Sequence, residues 1–292
     1  MITSEKHREL ERLARLGRWL VVSTVARSGA GHIGGPLSAM ELLIALYFSV
    51  LNIRPTEPKW PERDRFILSK GHSAIGLYAV LALRGFLPTE ELRTFDQLHS
   101  RLQGHPDATR LPALDASTGS LGQGLSVGIG FAMGARLRQK SFHTFVMIGD
   151  GELQEGMVWE ALQIAPRYRL GNLTAILDWN GLQQFGWPLA SNESHHGDRR
   201  DPWAGIDLKA LFERLGWRVL ECGGHDYSQI IPTLEEAKRY SSSDLPTMIL
   251  ARTVKGKGVR LTEGKFEWHS RVPTKDELMT VATELGIEGV AA

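Results

Sequence analysis

Two residues near the middle of the chain have the types and the spacing to hold a cation against an anion. Asp150 sits in a Gly-Asp-Gly turn, and Asn180 follows it by thirty residues. Residues 144–148 (TFVMI) read as a buried strand ending at Gly149, residues 154–168 as a helix, and residues 172–177 (NLTAIL) as a second strand. In such a βαβ unit ligands gather outside the carboxyl ends of the strands, which is where Asp150 and Asn180 fall. A carboxylate, an amide oxygen and a backbone carbonyl, most simply that of Leu182, form an oxygen set suited to a small dication that completes its shell with phosphate and water. Gly151 allows close backbone approach, and the helix start beyond it offers N–H groups to an anion. A metal-bridged diphosphate meets these requirements. A nicotinamide site does not, because GDGELQEG lacks the G-x-G-x-x-G spacing.

The elements that must position these residues can be read outward from them. Residues 4–27 place Leu10, Leu13, Gly17 and Leu20 at helical spacing among charges, and a glycine-dense loop (28–36) around His32 follows. Ser38 and Glu41 have capping-box spacing and predict the start of the next helix. Residues 54–65, with three prolines, read as a surface excursion. Residues 66–68 read as a strand, so that His72 falls just past its carboxyl end, with a helix from near Ala74. His7, His99 and His143 have polar or charged neighbours and read as surface. Residues 94–118, around His105, read as loop, and the run from Gly119 to Gly122 opens a helix unusually rich in glycine. Each glycine costs a helix about 1 kcal/mol relative to alanine, so the pattern predicts close packing in the core or at a subunit interface.

After Leu182 a polar loop leads to Asp207, which should cap the next helix. A strand (216–221), a helix (226–240) and a strand (246–251) follow. Lys255 and Lys257, in a basic glycine-bearing loop, read as solvated surface rather than as phosphate ligands. Residues 274–285 form an amphipathic helix capped by Thr274. The alternation predicts an α/β fold, a mostly parallel sheet with helices on both faces.

Composition excludes several classes. Lys plus Arg number 34 against 33 Asp plus Glu, so no basic excess points to nucleic acid. The single cysteine, Cys222, precludes an internal disulfide and suits a reducing compartment. The longest apolar run, residues 42–51, is too short to span a bilayer, and the charged N-terminal residues do not form a signal peptide. A soluble, cytoplasmic protein is expected.

Several signatures together carry a family resemblance. SGAGHIGGPLSAMELLIALYF, RDRFILSKGHSAIGLYAVLALRGFL, GHPD, ASTGSLGQGLSVGIGFAMGA, the GDG to Asn pair, KGKGV and the WH segment occur in one order from residue 10 to 271. The chain resembles the N-terminal half of transketolase. This resemblance implies a thiamine diphosphate-binding fold in one diphosphate- and metal-binding domain over residues 1–292. Asp150, Asn180 and the Leu182 carbonyl become ligands of Mg²⁺, or of Ca²⁺ or Mn²⁺. Gly151, His72, Gly119, Ser120, Leu121 and His269 become cofactor contacts. His32 and His105 match substrate-facing histidines, so that His32, His72, His105 and His269 are the candidates for proton transfer. Glu155 matches a glutamate of an acidic network at the dimer interface.

The sequence departs from the family pattern at Ser270 and Arg271, where WHG and then Lys are usual, and at Ser120, where Pro is common. The resemblance further implies that the pyrimidine-binding domain, with the glutamate that activates the cofactor, and the C-terminal domain lie on a separate chain. The expected assembly is an α2β2 heterotetramer that transfers a two-carbon ketol unit from a ketose, phosphorylated or not, to an aldose. The alternatives are a component of another thiamine diphosphate enzyme, such as a 2-oxo acid dehydrogenase α chain or a 1-deoxyxylulose-phosphate synthase-like protein, and a catalytically silent diphosphate-binding scaffold.

Overall fold

The computed structural model describes residues 2–184 and 201–287. Within these residues five strands form one parallel sheet: β1 (Arg65–Leu68), β2 (Thr144–Gly149), β3 (Leu173–Trp179), β4 (Arg218–Gly223) and β5 (Thr247–Arg252). Their order is β1-β2-β3-β5-β4, and all four pairings are parallel. Every residue of β2 and β3 is buried, as a parallel sheet covered on both faces requires.

The strand period of two sends alternate side chains to opposite faces. Phe66, Leu68, Phe145, Met147, Ile176 and Ile249 join one core cluster with α1 (Ser4–Ser28), α3 (Met40–Ala45), α4 (Ala74–Arg84) and α8 (Tyr227–Arg239). Ile67, Val146, Ile148, Ala175, Leu177 and Met248 join another with α5 (Gln123–Leu137), α6 (Gly156–Arg167) and α7 (Leu208–Arg214). Helices on both faces of a parallel sheet are therefore the observed architecture.

Local chemistry sets the boundaries. Thr3 caps α1 by accepting from the Lys6 amide, and Gly29, at φ +72°, ends it. Asp207, Asp226 and Thr274 cap α7, α8 and α9 (Lys275–Glu284), the last with a full capping box. The apolar run at 42–51 is α3 and the π turn that continues it to Val50. Among the described residues no helix is long and apolar enough to cross a membrane. Glycine has two uses in α5. A Cβ on Gly128 would overlap Val146, and one on Gly124 would overlap Ser69, whereas Gly130 and Gly134 face open space.

Three local readings are corrected. Ser38 and Glu41 make no capping box: Ser38 ends the short helix α2 (Gly34–Ser38), and its hydroxyl donates to Asp178 Oδ2 at 2.6 Å. Glu41 is buried against Arg18 and His225, because a carboxylate out of water needs a positive partner and further side-chain donors more than it needs a backbone amide. His143 is fully buried, with Nδ1 2.6 Å from Ser241 Oγ and Nε2 2.8 Å from Thr174 Oγ1. In the excursion at 54–65, Arg63 and Asp64 turn inward to Asp115 and Lys238. The polar loop expected after Leu182 lies largely outside the described residues.

Candidate functional site

Asp150 and Asn180 follow the ends of neighbouring strands, since Gly149 pairs with Asp178 in the β2–β3 register. Asp150 is buried and accepts from the Gly151 amide at 2.8 Å and the Gly181 amide at 2.5 Å. Burial, and then the nearby Asp178 charge, push its carboxyl up to about 7, against the pull of the two amides. Asn180 Oδ1 accepts from the Leu182 amide at 3.1 Å, a local turn made possible by Gly181 at φ +74°. The Trp203 indole steadies the Gly-Asp-Gly turn by donating to the Asp150 carbonyl at 2.8 Å.

These groups form one wall of a cavity of about 490 Å³ that also contains His32, His72, His105, His269, Gly119, Leu121, Gly151 and Leu182. The loops and turns carrying the four histidines converge from sequence positions far apart. Ring centroids lie 5.2 Å apart for His32 and His72, 5.1 Å for His32 and His269, 4.9 Å for His72 and His269, and 6.2 Å for His32 and His105. Two glycines permit the convergence: a Cβ on Gly71 would come within 2.8 Å of the Thr118–Gly119 backbone, and one on Gly35 within 2.7 Å of Ser73 Oγ. Of the sequence-predicted residues, Ser120 is exposed and outside the cavity wall, and Glu155 is exposed on its rim.

His32, His72 and His269 are held neutral. Burial and the charges of His105 and Lys255 lower His32 to about 4, while burial and Lys255 lower His269 to about 3. His72 lies well below its ordinary value through burial and the nearby Lys70. Imidazoles in this state can donate or accept hydrogen bonds to a polyol without adding charge.

Five further residues in and behind the wall escaped the sequence reading. Lys255 is 2% exposed, not solvated. Its Nζ donates to the Gln183 carbonyl at 2.8 Å and contacts His269 Nδ1 at 2.9 Å and the Leu182 carbonyl at 3.3 Å. An ammonium can only donate, so Nδ1 of His269 accepts and the ring proton sits on Nε2. Burial brings Lys255 down to about 8. Lys257 is the solvated member of the pair, bonded to Glu263. Lys70 and Asp178 form a buried ion pair beneath the floor, with Asp178 also accepting from Ser38 and Thr253. Glu152 accepts from Ser69 Oγ, the Gly122 amide and the Gly149 amide, bracing the Gly-Asp-Gly turn. Gln183 brings a buried Nε2 with no partner among the described residues.

The residues present fit a dication bridged to a diphosphate. Asp150 is a buried carboxylate lacking a cationic side-chain hydrogen-bond partner among the described residues, Asn180 adds a neutral oxygen, and Lys255 lines the same cavity. Among the described residues no three His, Cys, Asp or Glu side chains cluster as a metal site. Phosphate oxygens and water would complete such a shell.

The chain matches the family of the transketolase thiamine diphosphate binding domain over residues 10–291. It is 38% identical to the 6-deoxy-6-sulfo-D-fructose transketolase subunit SqwG of Clostridium sp. (strain MSTE9), over 98% of this chain and 99% of that one. Against an apulose-4-phosphate transketolase subunit of Phocaeicola vulgatus it is 38% identical, over 94% and 93%. The crystal structure of the Campylobacter jejuni transketolase superposes with a TM-score of 0.83 at 34% identity, over 95% of this chain and 42% of that one. The chain thus belongs to the transketolase family. It is a subunit of the N-terminal, thiamine diphosphate-binding kind, matching the subunit-type relatives over nearly their whole length and spanning about two fifths of the solved transketolase.

Proposed function

We propose that this chain holds thiamine diphosphate through a dication bound by Asp150, Asn180 and the Leu182 carbonyl, and that it transfers a two-carbon ketol unit from a ketose to an aldose together with a C-terminal transketolase subunit. Mg²⁺ is the natural occupant, with Ca²⁺ and Mn²⁺ sharing its oxygen chemistry. The observation that carries the reading is the meeting of Asp150 and Asn180, on adjacent strand tips, with four clustered histidines in one cavity.

The cofactor, when bound, supplies the electron sink for carbon–carbon cleavage. The chain's own residues do the rest of the work on this side of the site. Asp150 holds the dication that would anchor the anionic tail, Gly151 lets the backbone come close, and Lys255 adds positive charge beside it. His72 and His269 face the cofactor. His32 and His105 bind hydroxyl groups of the sugar and move protons to and from them. The subunit names of the relatives and the resemblance support a partner chain carrying the pyrimidine-binding domain and its glutamate, in an α2β2 assembly. Glu155, exposed on the rim, would then face the dimer interface. The buried, unbridged thiol of Cys222 is compatible with a cytoplasmic setting.

Calorimetric titration of thiamine diphosphate into the chain co-purified with its partner, with and without Mg²⁺, tests the site. Binding should require Mg²⁺ and be lost in D150N, and unchanged affinity in D150N would refute the assignment. Ketol transfer from a ketose should need both chains, whereas turnover of pyruvate alone would favour another thiamine diphosphate enzyme.

A further inference from the structure

Lys255 owes its position to a short loop after β5, and this loop is gripped on each side by side chains outside the cavity. His225 Nε2 lies 2.8 Å from the Val254 amide, and Arg18 Nε donates to the Lys257 carbonyl at 2.7 Å. Both side chains are joined through Glu41, which accepts from Arg18 and lies 2.9 Å from His225 Nδ1. A backbone amide can only donate, so His225 Nε2 is the acceptor and its proton sits on Nδ1, directed at Glu41. That carboxylate, anchored by Arg18, selects the tautomer in which His225 can receive Val254. Between the two grips the Gly256 amide donates to the Gly34 carbonyl at 2.9 Å. Gly256 and Gly258 both have positive φ, and a Cβ on Gly258 would overlap Arg18, so the loop seats directly against the clamp.

We infer that His225 is a positioning residue for the diphosphate site: by accepting the Val254 amide it fixes the backbone from which Lys255 reaches Gln183, Leu182 and His269. The inference rests on the reading of the cavity as the diphosphate pocket. His225 itself does not line that cavity. It borders a separate cleft of about 290 Å³ between α1, α3 and the start of α8. Its influence on the pocket is therefore transmitted through Val254 and Lys255.

H225F and H225Q separate this role from packing. Phenylalanine can neither accept the Val254 amide nor donate to Glu41, whereas glutamine keeps an oxygen able to accept that amide. Amide hydrogen exchange should show Val254 protection falling about tenfold or more in H225F and staying near wild type in H225Q. Thiamine diphosphate affinity, measured with Mg²⁺ on the two-chain complex, should fall about tenfold in H225F and stay within about threefold of wild type in H225Q. Equal behaviour of the two variants, or wild-type exchange and affinity in H225F, would overturn the inference. Should H225F fail to fold, Val254 exchange in the wild-type chain decides: protection matching β5 supports the clamp, and exchange at the rate of an open loop refutes it. A wild-type complex that binds no thiamine diphosphate would sink the functional reading, leaving the exchange measurement to judge the clamp on its own.

Discussion

Replacing Lys70 by methionine is the sharpest test of how the site is held. Lys70 and Asp178 are 2% and 0% exposed, and their ion pair joins the turn carrying His72 to the tip of β3, two residues before Asn180. Methionine keeps most of the buried stem while removing the charge. Stripping one partner from a buried pair costs about 3–5 kcal/mol, because the other charge is left uncompensated. Here Asp178 keeps the hydroxyls of Ser38 and Thr253, which places the expected loss at the lower end, about 3 kcal/mol. For a chain of this size that corresponds to a drop in Tm of roughly 6–12 °C. Urea unfolding followed by circular dichroism measures it, and the double variant K70M/D178N supplies the control. Once both charges are gone, the double variant should be less destabilised than the sum of the single variants by about 2 kcal/mol. K70M within about 1 kcal/mol of wild type, or strictly additive effects, would refute the argument that this pair is a coupled buried anchor.

Further outcomes follow from the same structure. G128A should destabilise the isolated chain by about 1 kcal/mol or more, since the clash with the stiff Val146 outweighs the helical gain of alanine, whereas G130A on the open side of α5 should stabilise it by up to about 1 kcal/mol; thermal melts of the two variants check the contrast. His143 is lowered by burial to about 3 against 6.5 when unfolded, so the unfolded chain takes up the proton first. Its contribution is complete above pH 6.5 and declines by about 1.4 kcal/mol per pH unit as the pH falls toward 3. H143Q should therefore flatten the acid limb of a stability profile measured by urea unfolding between pH 4 and 7.

The legible part of this protein was what lies close in sequence to a strand end. Asp150, Asn180 and His72 could be placed because a short apolar run fixes where a parallel strand stops, and ligands collect there. His32, His105 and His269 needed the ordered set of family signatures, since no local rule brings those loops together. Lys255 was missed because KGKG looks like any solvated lysine pair. Only the left-handed glycines and the grip of Arg18 and His225 turn one lysine inward and leave Lys257 outside. Ser38 and Glu41 had the spacing of a cap, but each is claimed by a charge from far along the chain, Asp178 for one and Arg18 for the other. Likewise the neighbours of His143 are polar in sequence, yet its ring is enclosed by Ser241 and Thr174, which approach from distant segments.

The division of labour along the cavity wall has a practical consequence. Asp150 and Asn180 hang from the two strands whose every residue is buried, while His32 and His105 ride on irregular segments at the mouth. Under the proposed function, the mouth can be rewritten with the central strands untouched, so that retention of the dication and handling of the sugar become separately adjustable properties of one scaffold.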